Sequence, residues 1–248
     1  MNRCTRHRGF SLLEVGICLA VVAVLLSVLV PTLSSARLAS HKDKCSGNLR
    51  VIGAAWAGLL GETGEFPTIP DEPGWKWGGA KFALDERAYL DAGRPLNRYL
   101  GALQVAGASA EVFHCPADAG ITGPSGPSAS HFVGTGTRTA YRAFGTSYRA
   151  NSRLLDARLV GADDVPRGLK LSEVTMGHSE VVLLGNPVWF EVLADTGRSA
   201  DWFGRKGAGN MLMLDGSVRF LVIDRDSRRI TSLFHPIGGA TQPAPTYP

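Results

Sequence analysis

Gly9-Phe10-Ser11-Leu12-Leu13-Glu14-Val15-Gly16-Ile17-Cys18-Leu19-Ala20-Val21-Val22-Ala23-Val24-Leu25-Leu26-Ser27-Val28-Leu29-Val30-Pro31 decides how the 248-residue chain is built. Between Arg8 and Arg37 the sole charged side chain is Glu14. As a helix rising ~1.5 Å per residue, Phe10 to Val30 covers about 31 Å, the thickness of a bilayer's hydrocarbon core. The stretch is therefore expected to span a membrane. Ahead of it, Met1 to Gly9 carries Arg3, Arg6 and Arg8 and no acid. Basic flanks stay on the cytoplasmic side, so the remainder of the chain is expected outside the inner membrane. A carboxylate in hydrocarbon costs several kcal/mol unless it is neutral or paired, which marks Glu14 as a functional residue.

The run Gly9-Phe10-Ser11-Leu12-Leu13-Glu14 resembles, at every position, the class III signal of type IV prepilins and type II secretion pseudopilins. The resemblance implies that a prepilin peptidase cuts after Gly9 and that the new amino terminus at Phe10 is methylated. It also implies that Glu14 pairs with the terminal amine of a neighbouring subunit. A Sec signal peptide cut after Ser34-Ser35-Ala36 satisfies the small-x-small rule, but its apolar region would exceed the usual ~7–15 residues and hold an acid near its start. A plain signal anchor accounts for the length but not for Glu14.

Loss of residues 1–9 takes the formal charge from +4 to +1, because Arg3, Arg6 and Arg8 leave with the leader. No nucleic-acid partner follows from so small a surplus. Beyond the membrane stretch, enough chain remains for one globular domain with its own core. With 30 Gly and 14 Pro, that domain is expected to be rich in loops and short strands. Cys4 lies in the leader and Cys18 in the apolar run, leaving Cys45 and Cys115 for an oxidising periplasm, where disulfides persist. No Cys-x-x-Cys or Cys/His spacing points to zinc, and no cofactor or metal is expected.

Past Pro31, Cys45, Leu49, Ile52, Trp56 and Leu59 or Leu60 recur at helical spacing, with Lys42, Lys44 and Arg50 opposite. One helix is expected from about Ser11 to Leu60, stopped by Gly61-Glu62-Thr63-Gly64-Glu65-Phe66-Pro67. Cys45 shares the apolar stripe and should face the domain, so a disulfide with Cys115 is expected; it would close a loop of about 70 residues. Residues 68–80 form a loop in which Trp75 and Trp77 are packing anchors or, alternatively, a ligand platform. Leu84 to Leu103 reads as helical, both around Ala88-Tyr89-Leu90 and over Pro95 to Leu100. Val112 to Pro116 reads as a short strand ending in a turn, and Gly120 to Gly136 as a long surface loop. Ala140 to Tyr148 and Glu180 to Leu184 read as strands, with Val188 to Leu193 pairing with the latter. Asn210 to Leu214 and Ser217 to Val222 read as a hairpin, with Asp215-Gly216 as a two-residue type I′ turn. The domains are thus a leader (1–9), a transmembrane and amphipathic helix (10–61), a globular domain (62–237) and a disordered tail (238–248).

The segments Lys44 to Gly53, Gly64 to Pro67, Phe113 to Asp118, Thr146 to Asn151 and Asp215-Gly216 together resemble the bacterial family of prepilin-like proteins with an H-x9-DG C-terminal motif. The histidine of that motif is replaced here by Arg205, which is expected to approach Asp215 from the preceding loop through its fork of donors. The fold implied is α+β and type IV pilin-like: a long N-terminal helix, half in the membrane, packed on an antiparallel sheet with long loops. The function implied is that of a structural subunit of a pseudopilus or type IV pilus. Its partners would be the prepilin peptidase, other pilin-like subunits and the inner membrane. The alternative is a membrane-anchored periplasmic module that binds a ligand and does not assemble.

An enzyme is not expected. Neither a Gly-x-Ser-x-Gly elbow nor a His-Glu-x-x-His nor a P-loop is present. Histidines 41, 114, 131, 178 and 235 are scattered without an acid at useful spacing. Asp163-Asp164 and Asp224-Arg225-Asp226 carry oxygen ligands suited to calcium, but neither matches an EF-hand loop, and solvated turn acids are the expectation.

Overall fold

The computed structural model describes residues 12–69, 74–82, 88–102, 110–121, 139–162, 164–193, 199–223 and 234–237. The fold is α+β, a 52-residue helix α1 (Leu12–Thr63) that contacts an antiparallel four-stranded sheet. The chain divides into two compact units, one ending at Ser40 and one beginning at His41.

The first unit, in its described residues, is helix alone. Pro31 lies within α1 and the chain stays helical through it. Pro31 has no N–H to donate to the preceding turn, and the helix carries on because one lost bond is shared among many turns.

In the second unit α1 becomes one-sided. Cys45, Asn48, Leu49, Ile52, Gly53, Ala55, Trp56, Leu59 and Leu60 are buried, whereas Arg50, Val51, Ala54 and Ala57 are exposed. The helix runs past the expected Leu60 to Thr63, whose hydroxyl donates to Leu59 O, and Gly64 N–H closes it on Leu60 O. Trp56 is fully buried between Phe66 (ring centroids 5.8 Å apart) and Trp77 (6.1 Å), and Trp77 continues the cluster to Phe113 at 5.7 Å. Such aromatic contacts at tilted angles supply much of the apolar area that a loop-rich domain must bury.

The sheet, in the order β3-β4-β5-β6, comprises β3 (Arg149–Ala150), β4 (Val182–Gly185), β5 (Ala208–Met213) and β6 (Val218–Val222). Ala150 pairs with Leu184, Leu184 with Leu212 and Asn210 with Phe220. Alternation puts Asn210 and Leu212 on the face toward α1. A Cβ on Gly53 would sit 3.0 Å from Leu212 Cδ1, so the helix backbone lies directly on β5. Asn210 Nδ2 donates to Lys42 O (3.1 Å), and the Lys42 ammonium lies 4.3 Å from the Phe220 ring centroid.

Among the described residues the unit also holds a two-stranded ribbon, β1 (Ala80–Phe82) with β2 (Ala88–Leu90), and four short α-helices. The helices are α2 (Asn97–Ala102), α3 (Ala140–Phe144), α4 (Ser152–Leu155) and α5 (Val188–Leu193).

Several local expectations are corrected. Ala88 to Leu90 is a strand rather than a helix, because it finds a partner in Ala80 to Phe82. Ala110 to Phe113 is a 3-10 turn rather than a strand; the turn expected after it is present, with Asp118 N–H on Cys115 O (2.9 Å). Ala140 to Phe144 is a helix, capped by the Thr139 side chain on Arg142 N and ended at Gly145, and only Arg149 and Ala150 of that region are strand. Val188 to Leu193 is a helix started by Pro187, whose carbonyl accepts from Phe190 and Glu191 N–H. The hairpin forms, but its loop has three residues. Gly216 N–H donates to Met213 O and Met213 N–H to Ser217 O, which places Leu214 and Asp215 at the turn and Gly216 after it at φ +84°. A turn followed by a left-handed glycine is the three-residue solution, and the Asp215 carboxylate favours it by accepting from Ser217 N–H at 2.8 Å.

Cys45 and Cys115 form the expected disulfide, with Cα atoms 5.0 Å apart and a sequence separation of 70. Closing a loop of that length restricts the unfolded chain by about 4 kcal/mol in the chain-entropy account. Both sulfurs are buried, so the bridge fastens the apolar face of α1 to the segment after the 3-10 turn.

Candidate functional site

The candidate site is the surface of α1 from Leu12 to Leu33. Every large apolar side chain in this stretch is exposed, from 45% at Val15 to 93% at Leu12. The most apolar window has mean hydropathy 2.8, and none of it is buried. A surface helix of a soluble domain carries one apolar stripe, turned toward the core; this stretch is apolar on all sides. Its few hydroxyls turn inward to the helix backbone. Ser27 Oγ donates to Val24 O (2.6 Å), Thr32 Oγ1 to Leu29 O (2.8 Å), and Ser34 and Ser35 Oγ to Pro31 and Thr32 O. Local bonding of this kind leaves no hydroxyl that needs water, as an apolar surrounding requires. The helix is long and apolar enough to cross a membrane. Together with a disulfide, which persists in oxidising compartments, it suggests anchoring or secretion with the second unit outside the cytoplasm.

Glu14 occupies an exposed position in the first described turn, and Cys18 is an exposed free thiol one turn further on. The processing residues Gly9 and Phe10 lie outside the described residues.

The other singled-out residues are structural where they are described. Trp75 and Trp77 are buried. Trp77 Nε1 donates to Gly74 O (3.1 Å), and Trp75 stacks on Phe144 with centroids 4.3 Å apart. Neither indole offers a face to a ligand, so the packing reading of this loop holds. Arg205 is exposed in the turn before β5, near Ala208, whereas Asp215 follows the other end of that strand. The extended strand between them keeps the two apart. Partial burial raises the Asp215 carboxyl, but Ser217 and the charge of Arg219 bring it below its ordinary value. His114 stacks on Tyr141 (4.7 Å) and pairs with Glu111 (3.3 Å). His131, Asp163, Asp224 and Asp226 lie outside the described residues, as does nearly all of the expected loop from Gly120 to Gly136. Among the described residues, no group of three or more His, Cys, Asp or Glu could hold a metal.

Three of the sequence segments used for the resemblance meet in one buried lattice. The Asp118 carboxylate accepts from Gly120, Ala140 and Tyr141 N–H and from Ser147 Oγ, at 2.7–3.1 Å. Ser147 Oγ in turn accepts from Cys115 N–H (3.1 Å), and Asn48 Nδ2 donates to His114 O (2.8 Å). Asn151 caps α4 and donates to Val182 O (3.0 Å). A buried carboxylate with four donors is satisfied, and it fixes the chain around it. Sequence reasoning missed this role of Asp118. The signal was there in Cys115-Pro116-Ala117-Asp118, a proline-led turn ending in a residue that bonds backbone two positions on. It also missed Arg149, whose guanidinium lies 3.4 Å from the Phe190 ring centroid and 5.2 Å from that of Trp75.

No family model matches the chain, and neither a curated protein nor a solved structure does.

Proposed function

We propose that this chain is a structural, pilin-like subunit of a pseudopilus or type IV pilus. In this account a prepilin peptidase removes residues 1–9 at the Gly9–Phe10 bond. The Leu12 to Leu33 stretch then holds the subunit in the inner membrane, with the disulfide-bonded unit in the periplasm, and the same helix later packs against other pilin-like subunits in a fibre. The observation that carries this reading is the helix that is apolar on every side and exposed throughout. It needs either lipid or other helices around it, and a subunit that passes from membrane to fibre meets both.

Glu14 supplies the second support. A carboxylate this near the start of an apolar helix is tolerable when neutral or paired, and after cleavage the amine of Phe10 on an adjacent subunit is a suitable cation. Such a pair would set the axial register, while Val15 to Leu29 supplies contact area. The binding-module alternative loses the part of its support that rested on Trp75 and Trp77, which are buried among their own neighbours; the Gly-rich loop it also invoked lies almost wholly outside the described residues.

The experiment is Glu14→Ala, with Glu14→Gln beside it. Removing the charge lowers the cost of insertion, so both variants should reach the membrane at the normal level. They should be missing from sheared surface fibres. Normal incorporation of Glu14→Ala would contradict the assembly role.

A further inference from the structure

The loop that carries Arg205 has a fixed shape, although Arg205 is held away from Asp215. Gly204 and Gly207 are both left-handed, at φ +67° and +71°, and between them Arg205 and Lys206 are exposed. Gly207 N–H donates to the Asp201 carboxylate (2.7 Å), Gly207 O accepts from Ile223 N–H (2.7 Å), and Ala208 N–H donates to Arg205 O (3.2 Å). A Cβ at position 207 would fall 2.3 Å from Ile223 O, so glycine is what lets the loop close on the residue after β6. Just before the exposed pair, Trp202 and Phe203 are buried, and Phe203 meets Phe220 edge to face with centroids 5.5 Å apart. The Lys42 ammonium lies 4.3 Å from the centroid of the same Phe220 ring, and Asn210, two residues beyond Ala208, bonds Lys42 O. The contacts therefore run from the loop through Phe203 and Phe220 to the first turn of α1 in the second unit.

Charge at this corner is one-sided. Lys42, Lys44, Arg205 and Lys206 face Asp43 and Asp201, and the Asp201 carboxylate already accepts from Gly207 N–H and Ser199 Oγ. In sequence, the chain beyond Ile223 adds Arg225, Arg228 and Arg229 against Asp224 and Asp226. Leu33, the last large apolar residue of the exposed stretch, lies nine residues before Lys42, and nine residues span at most about 32 Å however the chain runs. The corner is thus tethered within reach of any bilayer that the stretch enters, at a high effective concentration. We propose that Lys42, Arg205 and Lys206, with Lys44 beside them, form a basic patch that binds the headgroup phosphates of anionic lipids in the membrane anchoring the chain. This rests on the anchoring part of the proposed function and not on fibre assembly. The occupant is a bilayer rather than a free anion because a free anion would gain from the charge alone, whereas a bilayer gains from the charge and the tether together. The Arg205 fork suits two phosphate oxygens at once, and an ammonium seated on Phe220 can turn its N–H donors outward. Each such cation near an anionic surface favours the bound state by about fivefold, an effect confined to about a Debye length.

Lysine acetylation by an uncharged reagent, read by mass spectrometry on the full chain in vesicles, tests this. Vesicles of phosphatidylcholine alone are compared with vesicles in which about three lipids in ten are phosphatidylglycerol. Labelling of Lys42 and Lys206 should fall about threefold or more in the anionic vesicles, and about 0.5 M salt should restore it. Lys170, exposed and paired with Glu65 beyond the other end of α1, should not change. Arg205→Gln should undo most of the fall at Lys206, and Arg205→Lys should keep it. Equal labelling in the two kinds of vesicle overturns the proposal, as does an equal fall at Lys170. A fall that persists in full in Arg205→Gln also overturns it, since tethering near a charged surface would then suffice. A chain that does not float with either vesicle loses the anchoring reading and this proposal with it. One that floats with both but shows no protection loses the patch alone.

Discussion

One helix is used in two ways on either side of residue 40. From Leu12 to Leu33 it is apolar all round and exposed, its hydroxyls folded back on its own carbonyls. From Cys45 to Leu60 it is amphipathic, with one face buried and Arg50, Val51 and Ala54 outside. The backbone geometry is shared; what differs is where the apolar side chains find partners. The second stretch satisfies itself with Phe66, Trp77, Leu212 and Cys115 from its own chain. Among the described residues the first buries none of its large apolar side chains, so its apolar surface is left for lipid or other helices to cover. That is the physical content of the proposed function.

The sharpest way to break the comparison is to damage each stretch and see which property fails. Trp56→Ala removes the fully buried indole between Phe66 and Trp77. It should cost the second unit about 3–5 kcal/mol in chemical denaturation and leave membrane insertion unchanged. Val22→Arg should do the reverse. An arginine at mid-helix opposes insertion by about 2.5–3.5 kcal/mol on the insertion scale, seen as protein lost from the membrane fraction, with the denaturation midpoint of the second unit unmoved. If the two variants failed in the same assay, the two stretches would not be independent in the way described.

How much of this was legible in the sequence follows the same division. Long periodic patterns read correctly: the apolar run, the Cys45-Leu49-Ile52-Trp56 stripe and the Asp215-Gly216 hairpin all appear, and the disulfide joins the expected cysteines. Short elements read unevenly: the helix expected over Pro95 to Leu100 and the strand over Glu180 to Leu184 are largely present, whereas others are not. Val188 to Leu193 is rich in residues that favour strands and Ala140 to Phe144 carries two, Tyr141 and Phe144, but Thr139 with Gly145, and Pro187, mark them as helices of one turn or two. For pieces so short, end signals outweigh residue propensity, since most of their backbone bonds are cap bonds. The placement of Arg205 failed for a different reason. Ten residues of separation invite a contact, but β5 is extended and holds Arg205 and Asp215 near opposite ends.

A smaller effect separates the stretches by pH. Glu173 accepts both guanidinium nitrogens of Arg167 (2.7 and 2.8 Å) and Lys170 N–H (2.7 Å), and these bonds hold its carboxyl down at about 2 against an ordinary 4.5. Asp156, bonded by Arg158, is lowered as well. A depressed carboxyl contributes its stability above the unfolded value and loses it as pH falls through the folded one. Thermal stability of the second unit should therefore decline from about pH 4.5 toward 2, and Glu173→Gln should flatten part of that decline. Helicity of the Leu12 to Leu33 stretch in a bilayer should not follow it.

The most direct measurement is the intact mass of the mature protein recovered from membranes. The account predicts a chain that begins at Phe10, with one methyl group added at its amino terminus. A chain that begins at Met1 or at Arg37 would contradict it, because the first leaves the leader in place and the second removes the apolar helix on which the proposed assembly depends.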